Sequence, residues 1–171
     1  MIDGINGSEI GAFSSLVKIK ANDIPTEVQK ITGITKKDTE KGLSFDVIKN
    51  IVRELLDGAI VVAHNLPFEA EWLKVQFDID IPLFYDTLTI DRMNYPEERG
   101  HKLEQACERA GITLSNAHRA LNDTLATKDL FLEQMGFKDN KRRYLNVLTE
   151  TQYGLNYRPE KTVRVEPFAR K

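Results

Sequence analysis

The chain of 171 residues contains one cysteine, Cys107. It can therefore form no internal disulfide and no multi-cysteine zinc site. A reducing compartment suits such a chain, and a soluble cytoplasmic location is expected. Long hydrophobic runs are also missing, and residues 1–11 have neither the basic start nor the apolar core of a signal peptide. No membrane partner is expected. Nor is charge of one sign in excess: 24 Lys and Arg stand against 26 Asp and Glu, for a net charge of -2. Bulk attraction to a polyanion is excluded, so any contact with nucleic acid must be local. The 41% hydrophobic content excludes wholesale disorder, and the length fits one domain without internal repeats.

What charge there is lies unevenly. Residues 1–135 hold 15 basic and 22 acidic side chains, whereas residues 136–171 hold 9 and 4. The expected division is an N-terminally incomplete α/β domain at 1–136 and a basic C-terminal tail at 137–171. The tail contains Lys141-Arg142-Arg143 with Tyr144, Tyr153, Tyr157 and Phe168. Cations with interleaved aromatics can contact phosphates and stack on bases, although a solvated charge run is the commoner use of such a segment.

Before the tail, strand and helix signals alternate, as in a layered α/β domain. Residues 10–20 are rich in β-branched and aromatic side chains between the turn signals Asn6-Gly7 and Asn22-Asp23, which predicts a strand. Pro25 opens a short helix that Gly33 ends. Ser44 is a candidate N-cap for a helix whose apolar positions, Phe45, Ile48, Ile51, Val52, Leu55 and Leu56, follow helical spacing until Asp57-Gly58. Residues 59–63 are continuously apolar and predict a central strand buried on both faces. A helix then starts at Pro67, a strand covers Leu83-Phe84-Tyr85, and helices follow near residues 87–93, 102–110 and 119–135.

Two clusters could carry chemistry. His64-Asn65-Leu66-Pro67-Phe68-Glu69 emerges at the carboxyl end of the apolar strand, where open α/β sheets bind ligands. Its bland alternative is a helix start, with Asn65 as cap and Glu69 complementing the dipole. In the second cluster, His118 stands on a loop before a helix that fixes Asp123. A carboxylate that holds a cation beside a histidine that deprotonates water suits phosphodiester hydrolysis. A surface aspartate near a helix-start histidine is the alternative.

His64-Asn65-x-x-Phe68-Glu69 resembles the second motif of the DEDDh 3′-to-5′ exonucleases, the family of the DNA polymerase III epsilon subunit and ribonuclease T. His118-x4-Asp123, followed by Thr124-Leu125-Ala126-Thr127, resembles its third. The order of Ile24-Pro25, Thr32-Gly33-Ile34-Thr35, Asp86-Thr87-Leu88 and Cys107-Glu108-x-Ala110-Gly111-Ile112 agrees with the same family. The resemblance implies a ribonuclease-H-like mixed sheet flanked by helices. It also implies metal-dependent hydrolysis at DNA or RNA 3′ ends with two Mg²⁺ or Mn²⁺ ions, and a possible polymerase partner in proofreading. It makes His118, Glu69 and Asp123 catalytic, with Glu69 and Asp123 as metal ligands, and it places Asn65, Phe68 and His64 at the substrate. Two features depart from the family. The strand carrying the first Asp-x-Glu pair has no counterpart ahead of residues 10–20, where Asp3 and Glu9 flank a turn instead. Glu69 stands where the family has Asp, and its extra methylene shifts the carboxylate. These departures imply impaired activity for the chain as given, with a catalytically silent module that binds nucleic acid or a polymerase as the alternative.

Overall fold

A computed structural model describes residues 1–20, 24–114, 119–136, 144–149 and 157–165. The chain divides into two compact units, Met1–Leu55 and Leu56–Lys171.

The first unit opens with a tight turn in which Ile2 and Glu9 form an antiparallel bridge. The Asp3 carboxylate accepts the N–H groups of Ile5 at 2.7 Å and Asn6 at 3.3 Å, so its oxygen serves the turn. Residues 10–20 do not form the expected strand. Among the described residues they form a single isolated bridge, parallel, from Val17 to Leu43, with Ile10, Phe13 and Leu16 exposed. Apolar alternation makes a strand only where a neighbouring backbone pairs with it, and here the pairing is confined to short contacts, of Met1 with Ile10 and Gly11 and of Leu43 with Leu16 and Lys18. That approach needs a glycine: a Cβ on Gly42 would lie 2.6 Å from the Leu16 carbonyl oxygen. Three helices follow. α1 (Thr26–Thr32) ends on left-handed Gly33, as expected. α2 (Lys36–Thr39) is held by a capping box between Thr35 and Asp38. α3 (Phe45–Leu56) starts on Ser44, whose hydroxyl accepts the Val47 N–H.

The second unit is built on β1 (Val61–Ala63) and β2 (Phe84–Asp86), which pair in parallel with Ala63 opposite Asp86. Between them runs α4 (Leu66–Phe77). β2 leads directly into α5 (Thr87–Asn94), then α6 (Leu103–Arg109) and α7 (Ala120–Gln134). α4, α5 and α7 all pack against β1. β1 is shorter and more open than expected: Val61 and Val62 are half-buried and Ile60 is 46% exposed. The reason is that β2 is the sole strand hydrogen-bonded to β1 among the described residues.

Part of the expected tail belongs to this unit. Asn146 exchanges backbone and side-chain hydrogen bonds with Phe84, and β3 (Val147–Thr149) follows it, paired in parallel with β4 (Val163–Val165). Leu148 joins Ala63, Leu66, Ala70, Ile81 and Phe84 in one buried cluster. Tyr85 meets Phe131 of α7 edge to face at 4.8 Å. Cys107 on α6 is fully buried, and loss of solvent pushes its thiol pKa up to about 11. The architecture is the expected α/β class, a ribonuclease-H-like arrangement with few strands among the described residues. Among the described residues no helix is long and apolar enough to cross a membrane. Lys141, Arg142, Arg143, Tyr153 and Phe168 lie outside the described residues.

Candidate active site

The end of β1 is shaped by one residue in an unusual conformation. Asn65 adopts φ 81° and ψ 49°, a left-handed turn that asparagine tolerates better than most residues. It swings the chain from the strand into α4, and Pro67 then suits the first turn because no intrahelical partner is lost there. The amides this exposes are captured from the neighbouring strand. Asp86 Oδ1 accepts the N–H of Asn65 at 2.9 Å and of Leu66 at 3.1 Å, while Oδ2 accepts the Thr89 hydroxyl at 2.6 Å. Asp86 is 2% exposed, so this carboxylate positions the site and does not line it as a solvent-facing group. In the sequence it stands only as the first residue of Asp86-Thr87-Leu88. Its partners are backbone amides 20 and 21 positions away, which no local pattern reveals.

The first turn of α4 carries the expected residues in contrasting settings. Phe68 is 67% exposed, a bare aromatic face beside Asn65. Glu69 points inward, and its Oε2 is buried with no hydrogen-bond partner. Burial pushes the Glu69 pKa up to about 7, with a further upward contribution from the Asp86 charge. His64 is occupied within the protein: Nε2 donates to the His101 carbonyl at 2.8 Å, and Nδ1 lies 3.0 Å from Thr87 Oγ1. Burial lowers its pKa.

Asp123 sits in the first turn of α7, with its backbone carbonyl accepting the Thr127 hydroxyl at 2.8 Å. The helices of Glu69 and Asp123 thus flank the same strand, β1. His118, the expected general base, lies outside the described residues. Glu69 Oε2 is the kind of atom a cation would satisfy, yet among the described residues no three His, Cys, Asp or Glu side chains come together to hold a metal ion. The described residues therefore do not complete a metal site. An Asp and a Glu two positions apart do occur at Asp38 and Glu40, but the Asp38 carboxylate is engaged in the cap of α2.

Fold and motif order together define a nuclease-like α/β domain. Residues 1–131 match the exonuclease family model RNase T, and the chain belongs to that exonuclease family. It is similar to the 3′-5′ exonuclease DinG of Staphylococcus aureus strains USA300, NCTC 8325 / PS 47 and COL, with 27% identity over 154 residues. The match covers 86% of this chain and 17% of each relative, so the chain spans about a sixth of their length. No solved structure matches it significantly.

Proposed function

We propose that the chain works at nucleic-acid 3′ ends as a 3′-to-5′ exonuclease domain, with Asn65 and Phe68 at the terminal nucleotide, Glu69 and Asp123 as site carboxylates and His118 as general base. The observation that carries this reading is the first turn of α4, where an exposed Phe68 adjoins a Glu69 whose buried Oε2 lacks a partner. A bare ring offers a stacking face worth about 1–3 kcal/mol per base. In the reaction, His118 takes a proton from water, whose oxygen bonds to the terminal phosphorus as the bond to the preceding 3′ oxygen breaks. That oxygen leaves as a hydroxyl after protonation. His64 contributes by holding the segment around His101 against the end of β1.

Exonucleases of this family generally use divalent metals, and the described carboxylates do not make a complete set. Weak turnover by the 171 residues is therefore expected. The test is degradation of a 3′-labelled single-stranded oligonucleotide with Mg²⁺ or Mn²⁺ added. Slow cleavage that His118→Ala reduces by about 10²- to 10⁴-fold fits a general base; a loss below tenfold removes His118 from that role, and brisk chelator-sensitive turnover overturns the weak-turnover expectation. The same carboxylate shortfall favours a second reading, a silent module that binds nucleic acid or a polymerase. Binding retained with no cleavage at either metal would select it.

A further inference from the structure

Beside the end of β1 lies an open cleft of about 360 Å³ lined by His64, Asn65, Leu88, Arg92, Arg99, His101 and Lys102. None of its lining residues is acidic, although residues 1–135 as a whole are acidic in balance. Arg92, Arg99 and Lys102 form no ion pair among the described residues. Arg99 and Lys102 are exposed, while Arg92 is half-buried.

The wall that presents these cations is built, not incidental. Asp91 of α5 is 1% exposed and accepts hydrogen bonds from His101 Nδ1 at 2.7 Å and from Arg109 Nη2. Arg109 Nη1 also donates to the Gly100 carbonyl at 3.0 Å, and His101 Nε2 lies 3.0 Å from the Glu98 carbonyl. The Arg109 guanidinium lies over the Tyr95 ring at 5.3 Å. A buried ion pair is costly to assemble and stiffens the segments it bonds; Arg109 bonds through Nη1 and Nη2, while its buried Nε has no partner among the described residues. Here it fixes residues 95–102, and His64 fastens the same segment to β1. The Gln105 side chain lies over Gly100, and its Oε1 accepts the Lys102 N–H at 3.0 Å.

We propose that this cleft is a phosphate-binding groove that takes the backbone of single-stranded nucleic acid through Arg92, Arg99 and Lys102. It rests on the nucleic-acid reading above and gives it a path: Asn65 belongs both to the turn before α4 and to the cleft wall, so a strand lying in the groove leads directly to Phe68 and Glu69. Cations on a fixed wall hold phosphates without reading sequence, so binding should be tolerant of base identity and sensitive to salt.

The test is equilibrium binding of a 5′-fluorescein-labelled twelve-nucleotide oligo-dT by fluorescence anisotropy, with EDTA present so that hydrolysis plays no part. Arg99→Glu/Lys102→Glu should weaken binding about tenfold at 50 mM salt. Removing two phosphate contacts should also make the slope of log affinity against log salt shallower by about 1.4. Lys30→Glu/Lys41→Glu, which changes the net charge equally on exposed positions of the first unit, should leave both nearly unchanged. Should the first variant fail to fold, Arg99→Gln/Lys102→Gln should give the same change in slope with a smaller loss of affinity, about threefold. Wild-type-like affinity and slope in the cleft variant would overturn the groove while leaving the nucleic-acid reading intact, as would an equal loss in the control. Absence of wild-type binding would overturn both, and tighter binding of a blunt duplex would overturn the single-strand assignment.

Discussion

Glu69 is asked to keep a carboxyl group where water is scarce and no donor meets one of its oxygens. A folded-state pKa of about 7, against 4.5 as the ordinary value, means that the folded protein holds this proton more tightly than the unfolded chain. The contribution to stability is full below about pH 4.5 and is lost as pH rises through about 7. Glu69→Gln should therefore stabilise the protein above pH 7, by on the order of 1–2 kcal/mol after allowing for solvent at the carboxylate, and give no gain at pH 4.5. Denaturant melts in EDTA at the two pH values check this. An equal effect at both would show that the carboxyl is not titrating in that window. Phe68 makes the opposite kind of prediction: so exposed a ring should cost little stability when changed to Ala, within about 0.5 kcal/mol, yet weaken oligonucleotide binding by about 1–3 kcal/mol. Unchanged binding would remove it from the substrate surface.

Elements are joined in this fold by side chains reaching backbone groups of their neighbours. Asp86 closes β2 onto the start of α4, and Asn146 uses its amide to bond Phe84 N–H at 2.9 Å and the Pro82 carbonyl at 3.2 Å. Asp86→Ala would leave three donors without their acceptor, at about 1–3 kcal/mol each. It should cost at least about 3 kcal/mol and lower the thermal midpoint by roughly 6–12 °C; a loss under about 1 kcal/mol would show that α4 is held by other means. These links also explain what the sequence could and could not disclose. α3, α4, α5, α6 and α7 were legible to within about two residues because each announces itself locally, through Ser44, Asp57-Gly58, Pro67 or a run of helical spacing. β3 was not. It follows Lys141-Arg142-Arg143, and what makes it a strand is β4 and the amide of Asn146, both non-local. The ends of β1 and of the Glu69 helix were readable, whereas Asp86 as their fastener and Arg92, Arg99 and Lys102 as one surface become visible only when the chain is folded.

At the scale of the whole molecule, the sheet decides the behaviour in solution. The backbone of β1 meets one strand among the described residues, and an unpaired edge is a template for another chain. Where such edge groups lose water without gaining a partner, the cost of about 1–3 kcal/mol each is large beside the roughly 5–15 kcal/mol that holds a domain. The chain as given should therefore self-associate or melt low. Light scattering after size exclusion, with a thermal melt, is the check, and a monodisperse monomer melting cooperatively above about 60 °C would contradict it. The lone cysteine offers a separate account of the same issue. Cys107 is sealed within the second unit, and the first unit has no thiol. A thiol-modifying reagent added to native protein can reach sulfur only while that unit is open. Its labelling rate becomes a clock for the opening of the second unit.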